Sequence, residues 1–232
     1  MLIYGRNVAE EIIKFNKKSI RKIIIQDDFS DKNLISLIEK EKLNVIFKKK
    51  QHLDNLANGN HQGIILDVMD YQYYAIEDVV KNNANFVLLL DHLEDPHNFG
   101  AIIRTAEAAG VDYIIVPEKR ETLVNATVMK TSAGSLIRSK IVKVSNIVNT
   151  IQKLKDNGFW IVGTDMNGQD YKEIDYSGKI GLVIGNEGKG ISNLVSKSCD
   201  FIASIPMYGQ NNSLNASVAA GIMIYEVIRN RK

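Results

Sequence analysis

Residues 86–104 read FVLLLDHLEDPHNFGAIIR, and this stretch decides the fold. Phe86 to Asp91 opens with five apolar residues and no alternation, the pattern of a parallel strand covered on both faces. A polar turn follows, and then a helix over Asn98 to Ala109, with Asn98 placed where a cap would sit. Strand, loop and helix in that order form the repeating unit of an open parallel sheet. Working toward the C-terminus, strands are predicted at Asp112–Val116, Phe159–Thr164, Lys179–Ile184 and Phe201–Ile205. Helices are predicted at Ser145–Asn157 and Ser213–Arg229. Residues 85–232 therefore read as an α/β domain, a mostly parallel sheet with helices on both faces.

Toward the N-terminus the alternation is shorter. Asn7 with Glu10 has the spacing of a capping box, opening a helix whose Val8, Ile12, Ile13 and Phe15 fall largely on one face. A strand at Lys22–Gln26, a helix at Asp31–Lys42, a strand at Asn44–Phe47, a helix at Gln51–Ala57 and a strand at Gly63–Val68 complete a small α/β domain over 1–70. The tyrosine-rich, more polar stretch 69–84 holds the junction, with a linker over 71–84.

Composition bounds the function classes. The 232 residues are 45% apolar and 24% charged, as in soluble globular proteins. The longest apolar runs fall far short of the ~20 residues that span a bilayer, and no basic-then-apolar leader opens the chain, so no membrane partner and a cytoplasmic location are expected. The single cysteine, Cys199, excludes an internal disulfide and a Cys-rich zinc site, and the four histidines lack metal-ligand spacing. No metal is expected. Lys and Arg total 29 against 27 Asp and Glu, a net +2 that permits a nucleic-acid partner without arguing for one. Lys48-Lys49-Lys50 reads either as a phosphate contact or as a solvated turn before a helix.

Ligands on open parallel sheets bind beyond the carboxyl ends of the strands. Three loops there are unusual. The first runs from Asp91 to Gly100 and leads to Arg104, either a surface arginine or a group that holds phosphate or polarises a hydroxyl. The second, Gly185-Asn186-Glu187-Gly188-Lys189-Gly190, has three glycines in six residues, which let a backbone approach a ligand or simply turn tightly. It matches neither a P-loop nor a dinucleotide fingerprint. The third, Ile205-Pro206-Met207 through Asn212, leads into Ser213-Leu214-Asn215, where Ser213 is a reasonable cap and Asn215 is harder to explain by capping.

Together, NFGAIIR at 98–104, IGNEGKGI at 184–191 and IPMYGQNNSLNASVAAG at 205–221 resemble the SpoU (TrmH-type) RNA ribose 2′-O-methyltransferases. The resemblance covers about residues 85–232. The segments YGRNVAEEI at 4–12 and HQGIILDV at 61–68 extend it to the first domain. That domain is similar to the ribosomal-protein-like RNA-binding module of the subfamily acting on guanosine in 23S rRNA. The resemblance implies a C-terminal trefoil knot, a homodimer, RNA as substrate and S-adenosylmethionine as methyl donor. It places Thr164, Gly185, Asn186, Gly188, Ile205, Met207 and Leu214 at the cofactor, and Asn98, Arg104, Glu187, Ser213 and Asn215 at the catalytic positions, with Glu187 and Asn98 orienting Arg104. Val218, Ala219, Ile222, Met223 and Tyr225 of the last helix form either the dimer face or core. Gln210-Asn211-Asn212 and Ala216 depart from the family pattern and leave cofactor affinity open. The competing readings are a transfer-RNA ribose methyltransferase, a non-catalytic RNA-binding assembly factor and an unrelated nucleotide-binding enzyme.

Overall fold

The computed structural model of the chain describes residues 1–57, 59–119, 122–211 and 213–231. Two compact units emerge: Met1–Gln72 with Val124–Arg138, and Tyr73–Leu123 with Ser139–Lys232.

The first unit is built from β1 (Leu2–Tyr4), α1 (Arg6–Asn16), β2 (Ile20–Gln26), α2 (Lys32–Lys40), β3 (Val45–Lys48), α3 (Lys50–Leu56) and β4 (Ile64–Val68). Its sheet has the order β1-β4-β2-β3, with β4 antiparallel to both neighbours and β2 parallel to β3. β-Branched Ile23, Ile24 and Ile25 bury themselves in the central strand. Asp31 caps α2, its carboxylate accepting from the Leu34 amide at 3.1 Å. The expected cap at Asn7 is not used. Gly5, at φ 110°, is the residue before α1, so the helix starts two residues earlier and Asn7 lies inside it. Phe15, expected on the buried face, is exposed beneath the Arg138 guanidinium, 4.9 Å from its ring centroid.

The second unit starts within the stretch read as a linker. Tyr74 bridges to Val142 in parallel register, and α4 (Ile76–Lys81) buries Val79. After it come β5 (Phe86–Leu90), α5 (Pro96–Ala108) and β6 (Tyr113–Pro117). The chain then returns to the first unit as α6 (Ala126–Thr131) and the turn after it, burying Val128, Met129 and Leu136 there. That excursion corrects the assignment of 85–232 to one domain. It is locked inside the first unit at Gly134 (φ 85°), where a Cβ would stand 2.5 Å from Cβ of Glu11, while Arg138 pairs with the Glu11 carboxylate.

The second unit resumes with β7 (Ile141–Val144), α7 (Ile147–Lys155), β8 (Phe159–Asp170), β9 (Lys179–Ile184), α8 (Asn193–Ser198), β10 (Phe201–Ser204) and α9 (Ala216–Arg229). Its sheet runs β10-β8-β9-β5-β6-β7, parallel at every pairing. Every residue of β5 is buried, which is why its sequence shows no alternation. One face packs Val87, Leu89, Ile161 and Val183 against Ile147, Ile151 and Leu154 of α7 and Val195 of α8. From β5 the strands run outward one way as β6 and β7, and the other side of β5 is filled by β9, β8 and β10. The strand order therefore reverses between β5 and β9, the crevice where such sheets hold ligands.

Candidate active site

The loops after β5 and β9 meet at this crevice. Asp95, not Asn98, caps α5: its carboxylate accepts from the His97 amide at 2.9 Å. Pro96 occupies the first helical position, where a missing N–H costs nothing. Asn98 is thereby placed in the first turn, buried, with its amide free for other partners. That amide donates to Oε1 of Glu187 at 2.8 Å, and its Oδ1 accepts from Nδ2 of Asn215 at 3.0 Å. Asn215 Nδ2 also donates to Glu187 Oε1, which takes the Ala216 amide as well, at 3.1 Å. One carboxylate oxygen thus gathers α5, the loop after β9 and the start of α9.

Asn215 also resolves the capping question. It, rather than Ser213, caps α9: its Oδ1 accepts from the amides of Ser217 at 3.0 Å and Val218 at 3.3 Å. The oxygen terminates the helix while the nitrogen joins the Glu187 cluster, a division that only an amide side chain can make.

The loop after β9 is closed on itself by reciprocal backbone bonds between Asn186 and Gly190, of 3.0 and 2.8 Å. A Cβ on Gly185 would stand 2.2 Å from the carbonyl carbon of Gly190, so this glycine is required by backbone contact. Asn186 Oδ1 accepts from Gly188 N at 3.0 Å, and its Nδ2 donates to the His92 carbonyl at 3.2 Å, tying the loop to the one after β5. Beneath both, buried Asp91 accepts from the Ser192 amide at 2.6 Å and lies 2.7 Å from Nδ1 of His92, a residue with φ 64°.

A third wall comes from β8. Its pairing with β10 jumps from Gly163↔Ile202 to Gln169↔Ala203, so residues 164–168 leave the ladder. Thr164 anchors the bulge by donating its hydroxyl to the Val183 carbonyl at 3.0 Å. Asp165 shapes it by accepting from the Asn167 amide at 3.0 Å.

These walls enclose a cavity of about 290 Å³. All seven residues expected at the cofactor line it: Thr164, Gly185, Asn186, Gly188, Ile205, Met207 and Leu214. Glu187 and Ser213 line it too, whereas Asn98 and Asn215 reach it through Glu187. Sequence reasoning missed Asp165, Met166 and Ala203, and read Ala219 as dimer face or core rather than cavity wall. For Asp165 a signal existed, since it stands at the carboxyl end of a predicted strand.

Arg104 stands apart. It is exposed, does not line the cavity, and among the described residues has no hydrogen-bond or ion-pair partner. Six residues at ~100° apiece turn it roughly 120° around α5 from Asn98. The expectation that Glu187 and Asn98 orient it is therefore corrected: Glu187 is engaged with Asn98, Asn215 and Ala216 instead. On α9, Met223 is fully buried while Val218 and Tyr225 are each about half exposed, so the expected face divides between core and surface.

One group can be set aside as a nucleophile. Burial pushes the Cys199 thiol up to about 12, so it carries no nucleophilic thiolate near neutral pH. Among the described residues no group of three His, Cys, Asp or Glu is placed to hold a metal ion.

Residues 85–225 match the SpoU rRNA methylase family, and residues 2–74 match a domain described as RNA 2′-O ribose methyltransferase substrate binding. The chain belongs to the SpoU methylase family. Within it, a protein of Staphylococcus saprophyticus assigned to the TrmH family of tRNA/rRNA methyltransferases is 42% identical over 240 residues, spanning 100% of this chain and 96% of its own. Among solved structures, the SpoU methyltransferase AviRb from Streptomyces viridochromogenes, in complex with AdoMet, superposes with a TM-score of 0.86 at 26% identity. It covers 100% of this chain and 90% of its own. The A. aeolicus TrmH/SpoU tRNA modifying enzyme is 34% identical but covers 67% of this chain and 84% of its own, at a TM-score of 0.58. SpoU methylases of this kind are RNA 2′-O-ribose methyltransferases, and this chain is one.

Proposed function

We propose that this SpoU methylase transfers the methyl group of S-adenosylmethionine to the 2′-oxygen of a guanosine ribose in 23S rRNA, acting as a cytoplasmic homodimer. The observation that carries the reading is the joining of Asn98, Glu187 and Asn215 on the rim of a cavity lined by Gly185, Ile205 and Leu214. Apolar walls with exposed backbone groups suit an adenine and a thioether chain. Asp165 and Glu187, set against Lys189, leave the wall with an excess of negative charge that suits a cationic donor.

When bound, the donor supplies an electrophilic methyl on a sulfonium, whose charge is lost as the methyl leaves. The chain's own task is alignment and proton removal. Glu187 holds the start of α9 and the first turn of α5 in register, so that Ser213 is positioned at the cavity mouth. Arg104, with its guanidinium unengaged, binds the phosphate beside the target ribose and stabilises the developing alkoxide. A guanidinium with a pKa above ~12 is a poor base, so the 2′-proton passes to phosphate or water. Because Arg104 does not line its own cavity, the dimer is central to the reading. Half-exposed Val218 and Tyr225 on α9 give the partner a surface, and the Arg104 of one copy serves a site completed by both. The knot that the family resemblance implies belongs to the same reading.

The ribosomal target is supported by the match of residues 85–225 to the SpoU rRNA methylase family, where the tRNA-modifying relative overlaps two thirds of the chain. A transfer-RNA target is the second reading, favoured by the tRNA/rRNA assignment of the staphylococcal relatives. Mapping ribose methylation across ribosomal and transfer RNA in cells lacking the protein separates them: loss at one guanosine of 23S rRNA is expected. In the purified enzyme, Arg104→Ala abolishes tritium transfer while S-adenosylmethionine binding, measured by calorimetry, stays within twofold or so. Near-normal turnover of that variant overturns the assignment.

A further inference from the structure

The two N-terminal segments singled out in the sequence, YGRNVAEEI and HQGIILDV, are joined to each other in the first unit around a second cavity, of about 490 Å³. The Arg6 amide donates to Oε1 of Gln62 at 2.8 Å, and its Nε donates to the Gln62 carbonyl at 3.2 Å. The guanidinium sits 5.0 Å over the ring of Phe29. That ring rests on Gly63, where a Cβ would come within 2.7 Å of it. Buried His61 accepts from the Gly63 amide through Nδ1 at 2.9 Å, so its other nitrogen carries the proton and donates to Asp54 Oδ1 at 2.9 Å.

Arg6 also pairs with Asp31 at 3.7 Å, but three charged side chains around the cavity keep atoms to spare. Asp28 accepts from Gln26 through one oxygen and Asp54 from His61 through one oxygen. Among the described residues the second oxygen of each has no partner. Lys50, the last of the lysine cluster, lines the cavity and has no ion pair among the described residues. Asp28, Asp54 and Lys50 are exposed, so their unengaged atoms are open to a ligand that enters the cavity.

We propose that this cavity is a subsite for one unstacked nucleotide of the RNA, taking its phosphate on Lys50 and its base edge on Asp28 or Asp54. Carboxylates accept only, so they select a base with donors. Guanine alone offers two adjacent donors, N1–H and the N2 amino group, that one carboxylate takes together. The Arg6 guanidinium supplies a planar cation for the base to stack on. The inference rests on the RNA substrate of the proposed function and adds to it a base-selective contact outside the methyl-transfer cavity.

The test is a titration of the full-length, ¹⁵N-labelled protein with GMP, AMP, CMP, UMP, guanosine and inorganic phosphate, read at the Gln62 and Gly63 amides and the His61 ring nitrogens. GMP shifts these signals saturably and binds about tenfold more tightly than UMP or phosphate. In Lys50→Ala the advantage of GMP over guanosine disappears, and in Asp28→Asn the advantage of GMP over UMP does. With RNA as substrate, Lys50→Ala raises KM about five- to tenfold, the change falling on KM rather than kcat. Equal binding of all nucleotides and phosphate reduces the cavity to an anion site and overturns the proposal, as does an unchanged RNA KM. Absence of methyl transfer to any RNA by the wild-type enzyme, with GMP still bound, sinks the enzymatic reading instead and leaves this subsite standing.

Discussion

Asn215 performs two separable tasks, and two substitutions pull them apart. Its Oδ1 caps α9 through the amides of Ser217 and Val218, and its Nδ2 donates to Asn98 and Glu187. Serine caps nearly as well as asparagine, within a few tenths of a kcal/mol, but cannot donate along the lost nitrogen. Asn215→Ser therefore removes one neutral and one charge-assisted hydrogen bond. Those are worth about 1 and about 2 kcal/mol in a buried setting. Asn215 and Glu187 are exposed, so solvent screening brings the combined loss down to about 1–2 kcal/mol.

Asn215→Asp keeps the cap as well, but sets a second carboxylate against Glu187. Two such charges about 4 Å apart repel by roughly 1 kcal/mol in water and up to ~4 kcal/mol near a protein surface. A gain of about 0.5 kcal/mol from the helix dipole offsets part of this. The aspartate variant should thus lose about 3 kcal/mol at pH 7.5. Its pH dependence follows from sign: repulsion raises a carboxyl pKa in the folded state above its unfolded value. Relative stability is then lost as pH rises through that folded value and regained as pH falls below it. Urea denaturation of the wild type and both variants at pH 7.5 and pH 4.5 checks this. The serine deficit should be nearly independent of pH, and the aspartate deficit should shrink to it in acid. An aspartate deficit equal to that of serine at both pH values refutes the geometry of the cluster.

Three further outcomes test the site. Gly185→Ala drives a Cβ into the backbone of Gly190 and Ile191, at 2.2 and 2.4 Å, where no rotamer can relieve it. A loss of about 3 kcal/mol or more is expected by thermal unfolding, together with loss of S-adenosylmethionine binding by calorimetry. Asp165→Asn, which keeps volume and removes one wall charge, weakens S-adenosylmethionine about tenfold, and weakens S-adenosylhomocysteine less because that product lacks the sulfonium. Cys199, its thiol pushed up to about 12 by burial, holds ~10⁻⁴ of its population as thiolate at pH 8, so Ellman's reagent reacts with the native protein orders of magnitude more slowly than with the unfolded chain.

The parts of the fold that were legible in the sequence are those where burial acts on consecutive residues. Phe86–Leu90 and Lys179–Ile184 sit at the centre of the parallel sheet, covered on both faces, and their apolar runs mark them almost to the residue. The periphery was harder. β7 is four residues long and lies in a stretch with no other signal, and the bulged half of β8 is polar because it serves the cavity rather than the core. The excursion of residues 124–138 into the first unit was out of reach altogether. Local pattern shows that Val128, Met129 and Leu136 seek burial, but not which core receives them.

Helix starts failed for a different reason, and the failures point at the site. At both α5 and α9 a strong capping residue stands within three positions of another: Asp95 and Asn98, Ser213 and Asn215. Propensity alone ranks them nearly equal. Pro96 breaks the tie at α5, because proline belongs at the first helical position and so assigns the cap to Asp95. At α9 no such tie-breaker exists in the sequence. The decision is made by Glu187, 28 residues upstream, whose carboxylate holds Nδ2 of Asn215 and the Ala216 amide and so fixes where the helix begins. A polar residue whose local role looks redundant, beside another that could fill it, has been kept for a contact that local rules do not see. Asn98 and Asn215 are both of that kind, and they are bonded to each other.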